Sequence, residues 1–190
     1  MKKIFFSRLP LIAIVGLLLL SNYTTKAQSK ELVIIDQAVG NIEEIKSQFA
    51  REIDVFIIPS PGNPLELITE TLKKHQDIKV IHLFVMCKPG AIVFDQLCIL
   101  ESNIEQYDTF FSQWNDLLPS EAEIIIYGNH LAYDANGKNM VNAIAEKTGA
   151  GVRASTIAPG AEKDAFNRNP DFTTGRSKAK SVFLKETNNK

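Results

Sequence analysis

The chain has 190 residues, of which 45% are hydrophobic and 23% charged, and its formal net charge is −1. This length predicts one domain with a single core. Residues 28–160 hold ten Lys and Arg against eighteen Asp and Glu, a balance of −8, whereas residues 161–190 hold seven against four, a balance of +3. An acidic globule excludes nucleic acid as the expected partner, because phosphate-backbone binding needs clustered Lys and Arg.

The N-terminal residues are typical of a secretory signal peptide. MKKIFFSR is a basic n-region, and an apolar run follows from Leu9 to Leu20. This run has the length of a signal-peptide core and is shorter than a transmembrane helix requires. Thr25 and Ala27 occupy the small positions of a cleavage site. We therefore predict that residues 1–27 are removed after Ala27, which leaves a secreted or periplasmic chain with no transmembrane span. An uncleaved N-terminal anchor is the alternative.

Strand and helix patterns alternate along the rest of the chain. ELVIIDQAV (31–39) and DVFIIP (54–59) are buried-strand patterns. Asn41 with Glu44 predicts the start of one helix, and Asn63 followed by Pro64 predicts the start of the next. Lys79 to Met86 is the most continuously apolar strand pattern, which is typical of the centre of a parallel sheet.

The second half continues the alternation. We predict a hairpin of AIVF and QLCIL, followed by a helix over 103–118 that has an apolar stripe in the core. A strand over 123–127, a helix over 137–148 and a strand over 152–155 come next. An extended loop over 156–180 then leads to an edge strand at SVFLK (181–185). The expected fold is α/β: a mainly parallel twisted sheet with helices on both faces, in a Rossmann-like three-layer arrangement, with a small hairpin after the third strand. Residues 28–160 form the domain, and residues 161–190 form a basic loop or tail.

Candidate site residues follow the strands, because ligands of open parallel sheets bind at the carboxyl ends of the strands. They are Asp36 after the first strand, Met86 and Cys87 after the third, and Asn129 and His130 after the fourth. If the third and fourth strands are neighbours, Cys87 and His130 come close together. A thiol beside an imidazole is the minimum for nucleophilic catalysis. Alternatively, Cys87 is a small, partly buried turn residue, His130 is a loop donor, and Asp36 caps the following helix or holds a turn.

Other kinds of site have less support in the sequence. His75, His82 and His130 lack metal-ligand spacing, so we expect no metal. There is no GxGxxG after the first strand and no Walker loop, so we expect no nucleotide cofactor. Cys87 and Cys98 form a disulfide only if their strands lie side by side, and two free thiols are the alternative.

The segments VIHLFVMCKPGAIVF and EIIIYGNHLAYDANGKNMVNAIAEKTGAGVRAS resemble the caspase-like domain of unknown function found near the start of long bacterial surface adhesins. In that family the third strand reads like IHIVSHGSPGAL, the fourth like LLYGCNVA, and the following helix closes on TGADVAAS. The resemblance covers residues 31–160, and it places Asp36 at the family's acidic position.

The resemblance implies a His and Cys dyad at two positions that differ here. The family's His position is Met86, the Gly after it is Cys87, and the Cys position is Asn129. Methionine accepts no proton from a thiol and an amide is not a useful nucleophile, so the family's dyad is missing. A transposed pair, Cys87 with His130, needs loop geometry that turns both side chains back toward each other.

Three functional hypotheses follow. The first is a catalytically inactive, caspase-like binding module of the bacterial cell envelope, with a protein or surface polymer as its partner. The second is a divergent cysteine peptidase or hydrolase that uses Cys87 and His130. The third is a structural domain that docks through the basic tail or an exposed strand edge.

Overall fold

A six-stranded sheet forms the centre of the protein. The computed structural model describes residues 30–175 and 178–183, and the predicted signal peptide lies outside them. The strands are β1 (Glu31–Asp36), β2 (Asp54–Ile58), β3 (Val80–Phe84), β4 (Met86–Lys88), β5 (Ala91–Val93), β6 (Cys98–Leu100), β7 (Glu123–Ile126), β8 (Gly151–Ala154) and β9 (Phe172–Thr173). The central sheet has the order β2-β1-β3-β7-β8-β9, and all its neighbours are parallel except β9. The predicted mainly parallel sheet is confirmed.

The third strand passes from one sheet into another. After β3, the chain continues as β4, which pairs antiparallel with β5, and β5 pairs antiparallel with β6. The predicted hairpin is confirmed as β5 and β6, and β4 adds a third strand that was not predicted. The third strand was predicted to run to Met86, with Cys87 after it. Both residues instead belong to this second sheet, and the turn comes at Pro89 and Gly90. The left-handed conformation of Gly90 (φ 67°) suits a residue without a Cβ.

Within residues 30–175 and 178–183, four α-helices connect the strands: α1 (Ile42–Ser47), α2 (Pro64–Lys74), α3 (Asp108–Leu117) and α4 (Ala135–Thr148). The helix predicted over 103–118 begins as a 3-10 helix at Glu101–Tyr107 and becomes α-helical only at Asp108. Its apolar stripe lies in the core as predicted, because Ile104, Phe111 and Trp114 are buried. α4 ends at Gly149, which adopts the left-handed conformation expected of a helix C-cap.

The two faces of the sheet bury two separate cores. Leu32 and Ile34 of β1 face the larger core, which includes apolar residues of α2, α3 and α4. Val33 and Ile35 face the smaller core, which includes Ile45 of α1 and three residues from the end of the described chain, namely Phe166, Val182 and Phe183. This alternation along β1 follows from the period of two in a strand. Helices thus cover both faces, and the predicted three-layer α/β class is confirmed.

The chain after residue 160 contributes to the sheet. The sixth strand of the sheet is β9, inside the segment that was predicted to be a loop, and it pairs with β8. The edge strand was predicted at 181–185. Within that range, Phe183 makes an isolated antiparallel bridge to Phe49, and residues 184 and 185 lie outside the described residues.

Candidate functional site

The carboxyl ends of β3 and β7 lie side by side, as predicted. Their register pairs Ile81 with Ile124 and Leu83 with Ile126. Just beyond β7, Gly128 packs so tightly that an added Cβ would lie 2.4 Å from the Cys87 sulfur and 2.5 Å from the Val85 carbonyl oxygen. The two strand ends that carry the candidate residues are therefore in direct contact.

Cys87 is enclosed by this contact. Its side chain is buried in the larger core, and its sulfur lies 3.9 Å from the Val85 carbonyl oxygen, the only acceptor it reaches among the described residues. Burial raises the pKa of the Cys87 thiol far above its ordinary value, because the thiolate would lose its hydration. The Cys87 thiol therefore stays protonated and inert near neutral pH.

His130 faces away, toward the loop that follows β8. Its Nδ1 lies 2.7 Å from the Ile157 carbonyl oxygen and donates a hydrogen bond to it, and its Nε2 lies 3.6 Å from a carboxylate oxygen of Glu162. His130 adopts a left-handed backbone conformation (φ 70°) at the turn after β7. In residues 30–175 and 178–183, no hydrogen bond joins His130 to Cys87. Nδ1 is bonded to the loop after β8 and Nε2 faces Glu162, so the geometry does not form a thiol–imidazole pair.

The two cysteines are free thiols, which is one of the two alternatives that the sequence left open. Cys87 lies in β4 and Cys98 in β6, and β5 runs between them. Strands two positions apart in a sheet are about 9–10 Å apart, whereas a disulfide needs Cα atoms within about 7 Å. Cys98 is exposed and Cys87 is buried, so the two thiols also differ in access to solvent.

Asp36 fastens the small sheet to the central one. It ends β1 at the point where the strand order reverses, since β2 lies on one side of β1 and β3 on the other. Its carboxylate accepts hydrogen bonds from the Ala38 and Asp95 backbone amides, both at 3.2 Å, and the Asp95 carboxylate accepts one from the Ser60 hydroxyl. Burial raises the pKa of Asp36. The loop after β5 fills this crevice, leaving about 10 Å³.

A much larger cavity of about 910 Å³ opens beside Asn129. It lies on the side of the smaller core, between the loop after β8 and the segment 178–183. Five cationic side chains line it, and they come from four separate parts of the chain: Arg51, Arg153, Lys163, Arg168 and Lys180. The carboxylate in its lining is that of Asp164. This cavity is electropositive in an otherwise acidic chain.

The three arginines of this cavity are held in place by acidic partners. Arg51 pairs with Glu31, and Arg153 lies 3.6 Å from Glu123. Arg168 lies 3.4 Å from Asp164 and stacks over the ring of Phe183, with its guanidinium carbon 5.2 Å from the ring centre. Arg51 and Arg153 also donate hydrogen bonds to the carbonyl oxygens of Ser181 and Ala179, so these guanidinium groups bind the segment 178–183.

Lys163 and Lys180 differ from the arginines. Both are exposed, and neither forms an ion pair with any residue in the described part of the chain. They supply the positive charge of the cavity that no described carboxylate balances.

Asn129 lines the same cavity with an unsatisfied polar atom. Its side-chain amide donates to the carbonyl oxygens of Asp164 (2.9 Å) and Ala165 (3.1 Å), which fixes the orientation of the group. Its Oδ1 is buried and has no donor within the described residues. Buried polar atoms nearly always have partners, so Oδ1 of Asn129 is an acceptor whose donor the described residues do not supply.

The sequence did not predict this cavity, although it contained a signal. Residues 161–190 carry an excess of positive charge, and three of the cations that line the cavity, Lys163, Arg168 and Lys180, come from this segment. Arg51 and Arg153 join them only through the fold. The predicted candidates Met86 and Asn129 differ in position: Met86 is exposed at the start of β4, whereas Asn129 is buried.

In the described ranges, no three His, Cys, Asp or Glu side chains are arranged to hold a metal ion. No helix of residues 30–175 and 178–183 combines the length and apolar character needed to span a membrane.

The parallel sheet with helices on both faces and polar groups at its strand ends makes this an α/β protein with a candidate binding cavity. A family model described as Domain of unknown function (DUF4347) matches residues 32–190, so the chain belongs to that family. The match extends from β1 beyond the described residues that line the cavity. Searches of curated proteins and of solved structures found no match.

Proposed function

We propose that this chain is a secreted or periplasmic, catalytically inactive caspase-like domain that acts as a binding module of the bacterial cell envelope. The observation that carries the proposal is the identity of the residues at the two adjoining strand ends. They present Met86 and Asn129 where the resembled family has its His and Cys, and Asn129 opens onto a cavity large enough for a small ligand.

The chemistry of the neighbouring residues supports the same proposal. Cys87 is buried with a raised pKa, and His130 is bonded to the loop after β8. A nucleophile must be ionised and within reach of its base, and this pair meets neither condition. The geometry thus favours binding over the alternative of a cysteine peptidase that uses Cys87 and His130.

Thiol labelling tests the proposal. In a Cys98→Ser protein, iodoacetamide at neutral pH should modify Cys87 far more slowly than it modifies a model thiol, because only local unfolding exposes the sulfur. The matched Cys87→Ala protein should label at Cys98 far faster than the Cys98→Ser protein labels at Cys87, because Cys98 is exposed. Labelling of Cys87 faster than the model thiol, together with peptide hydrolysis that the Cys87→Ala protein lacks, would establish the cysteine hydrolase instead.

The location in the envelope has its own test. Expression of the chain with its N-terminal segment, followed by fractionation and N-terminal sequencing, should give a periplasmic or secreted product that begins at Gln28. A product that keeps residues 1–27 and sediments with membranes would support the uncleaved anchor.

A further inference from the structure

We propose that the cavity beside Asn129 binds an anionic, hydroxyl-bearing small molecule, of the class of sugar acids and sugar phosphates. The inference rests on the proposed function as a binding module and names its ligand class. The argument uses the charge, the orphan acceptor and the size of the cavity.

The charge of the cavity selects an anion. Five cations line the space, and three carboxylates, those of Glu31, Glu123 and Asp164, lie against its three arginines. Lys163 and Lys180 remain unbalanced by any carboxylate in the ranges 30–175 and 178–183. A ligand with one or two negative charges matches this excess.

The orphan acceptor adds a second requirement. Oδ1 of Asn129 is buried and needs a hydrogen-bond donor, which a simple deprotonated anion does not supply. A sugar hydroxyl supplies that donor. Asn167, Asn169 and Ser181 add further polar groups to the wall, which suits a ligand rich in hydroxyl groups.

The size of the cavity accommodates a ligand larger than a single ion. A volume of about 910 Å³ lies in the range of sites for small organic molecules. The apolar part of the wall consists mainly of small side chains, such as Ala50, Ala161 and Ala179. There is therefore room for one or a few sugar rings, with the anionic group directed toward the lysines.

Titration of the purified protein with small ligands tests the proposal. The protein is used in the form that remains after the expressing cells have processed its N-terminus. The probes are glucuronic acid for the carboxylate source and glucose 6-phosphate for the phosphate source, with glucose and inorganic phosphate as partial ligands. At least one of the two sugar anions should bind with one-to-one stoichiometry and a dissociation constant of roughly 0.1 to 1 mM. Each partial ligand should bind at least about tenfold more weakly, because it lacks either the charge or the hydroxyl groups.

Substitutions locate the binding. Lys163→Gln and Lys180→Gln should each weaken binding of the sugar anion by about three- to tenfold, since each removes a charge at the ligand. Both side chains are exposed, so the variants should fold, which circular dichroism checks. Lys73→Gln on α2 is the matched control and should leave the dissociation constant unchanged.

Three results would overturn the proposal: no binding of either sugar anion, inorganic phosphate that binds as tightly as glucose 6-phosphate, or equal weakening by Lys73→Gln and Lys163→Gln. The second result would mark a nonspecific anion patch. None of them changes the reactivity of Cys87. Failure of this ligand class is therefore distinguishable from failure of the binding-module proposal, which the thiol test addresses.

Discussion

Gly128 is the residue that joins the ends of β3 and β7. A Cβ there would lie 2.5 Å from the Val85 carbonyl oxygen and 2.4 Å from the Cys87 sulfur. A side-chain rotation relieves only the second contact, so the backbone must shift. We expect Gly128→Ala to lower the free energy of unfolding by about 2–3 kcal/mol, as other overpacked cores do. Urea denaturation measures this change.

Two further variants isolate the cause of that loss. Gly151→Ala is the control, because a Cβ there meets its nearest atom at 3.5 Å, and it should change the midpoint little. Adding Cys87→Ala to Gly128→Ala should restore only part of the stability, since the clash with Val85 remains. A Gly128→Ala protein with the wild-type midpoint would contradict the packing argument.

Tyr127 connects the core of the sheet to the end of the described chain. Its hydroxyl donates to Nδ1 of His82 at 2.9 Å and accepts the Val182 backbone N–H at 3.0 Å. Nε2 of His82 in turn lies 3.2 Å from Glu31 and donates to it, which assigns the proton to Nε2. The Tyr127 ring also stacks on Phe84, with centres 4.5 Å apart.

Tyr127→Phe keeps the stacked ring but leaves the His82 nitrogen and the Val182 amide without partners. We expect a loss of about 1–3 kcal/mol in the free energy of unfolding, because both groups are buried. Tyr133→Phe, at an exposed tyrosine, should have no measurable effect in the same denaturation experiment. Equal stability of the two variants would show that the Tyr127 hydroxyl contributes nothing.

At the scale of the elements, two asparagines had similar sequence signals for helix starts but differ in structure. Asn63 accepts hydrogen bonds from the Leu65 and Glu66 amides at 3.1 and 3.4 Å, and so caps α2 as predicted. Asn41 makes no cap bond to α1 and adopts a left-handed conformation (φ 42°). The predicted capping box of Asn41 and Glu44 is therefore wrong, because this backbone conformation does not direct the side chain to the helix amides.

The difference predicts unequal substitution effects. Asn63→Ala should lower the free energy of unfolding by about 1 kcal/mol, the usual contribution of a helix cap. Asn41→Gly should be neutral or slightly stabilising, because glycine adopts the left-handed conformation without a Cβ clash. Thermal unfolding of both variants compares the two ends directly, and a greater loss for Asn41→Gly would contradict the assignment.

Some elements could not be predicted from the sequence, and the reason is physical. Periodicity locates a strand but not the sheet that it joins, so the continuation of β3 into β4 was missed, and with it the third strand of the small sheet. Likewise, β9 has only two residues, Phe172–Thr173, too few to show a period. The long apolar strands and the amphipathic helices were predictable because each buries a face with its own repeat.

For the whole molecule, the parallel order of the sheet was predictable from the alternation of strands and helices, whereas the basic cavity was not. Its cations lie more than a hundred residues apart in sequence, from Arg51 to Lys180, and each one alone is typical of a solvated surface. Asn129 was singled out, but only as a lost catalytic position. Its role as an orphan acceptor depends on carbonyl groups of the loop after β8, which no pattern in the sequence locates.

The buried network around His82 predicts how the stability of the whole molecule responds to acid. His82 is fully buried, and burial lowers its pKa. The positive charges of Arg51 and Arg153 lower this pKa further, whereas Glu31 raises it. The hydrogen bond from His82, followed by Arg51, lowers the pKa of Glu31 to about 2. In both cases the unfolded chain takes up a proton at a higher pH than the folded protein does.

The free energy of unfolding should therefore fall with acidification in two stages. The His82 contribution is present above its unfolded pKa of 6.5 and is lost below it, and the Glu31 contribution is lost from 4.5 toward 2. Asp36 acts in the opposite sense. Its pKa in the folded protein is raised above the ordinary value of 3.8, so the folded protein takes up this proton at a higher pH than the unfolded chain does, which adds stability as the pH falls toward 3.8. Between pH 7 and 5.5, His82 should dominate, with a slope of at most about 1.4 kcal/mol per pH unit.

Urea denaturation at pH 7.5, 6.5 and 5.5 measures this slope. His82→Gln should flatten it whatever its effect on absolute stability, because the proton that only the unfolded chain binds has been removed. His75→Gln is the matched control: His75 lies at the partly exposed end of α2, and its replacement leaves Glu31, His82 and Tyr127 in place, so the part of the slope that they cause should remain. If His82→Gln keeps the wild-type slope while His75→Gln removes it, the buried relay of Glu31, His82 and Tyr127 is not the source of the acid sensitivity.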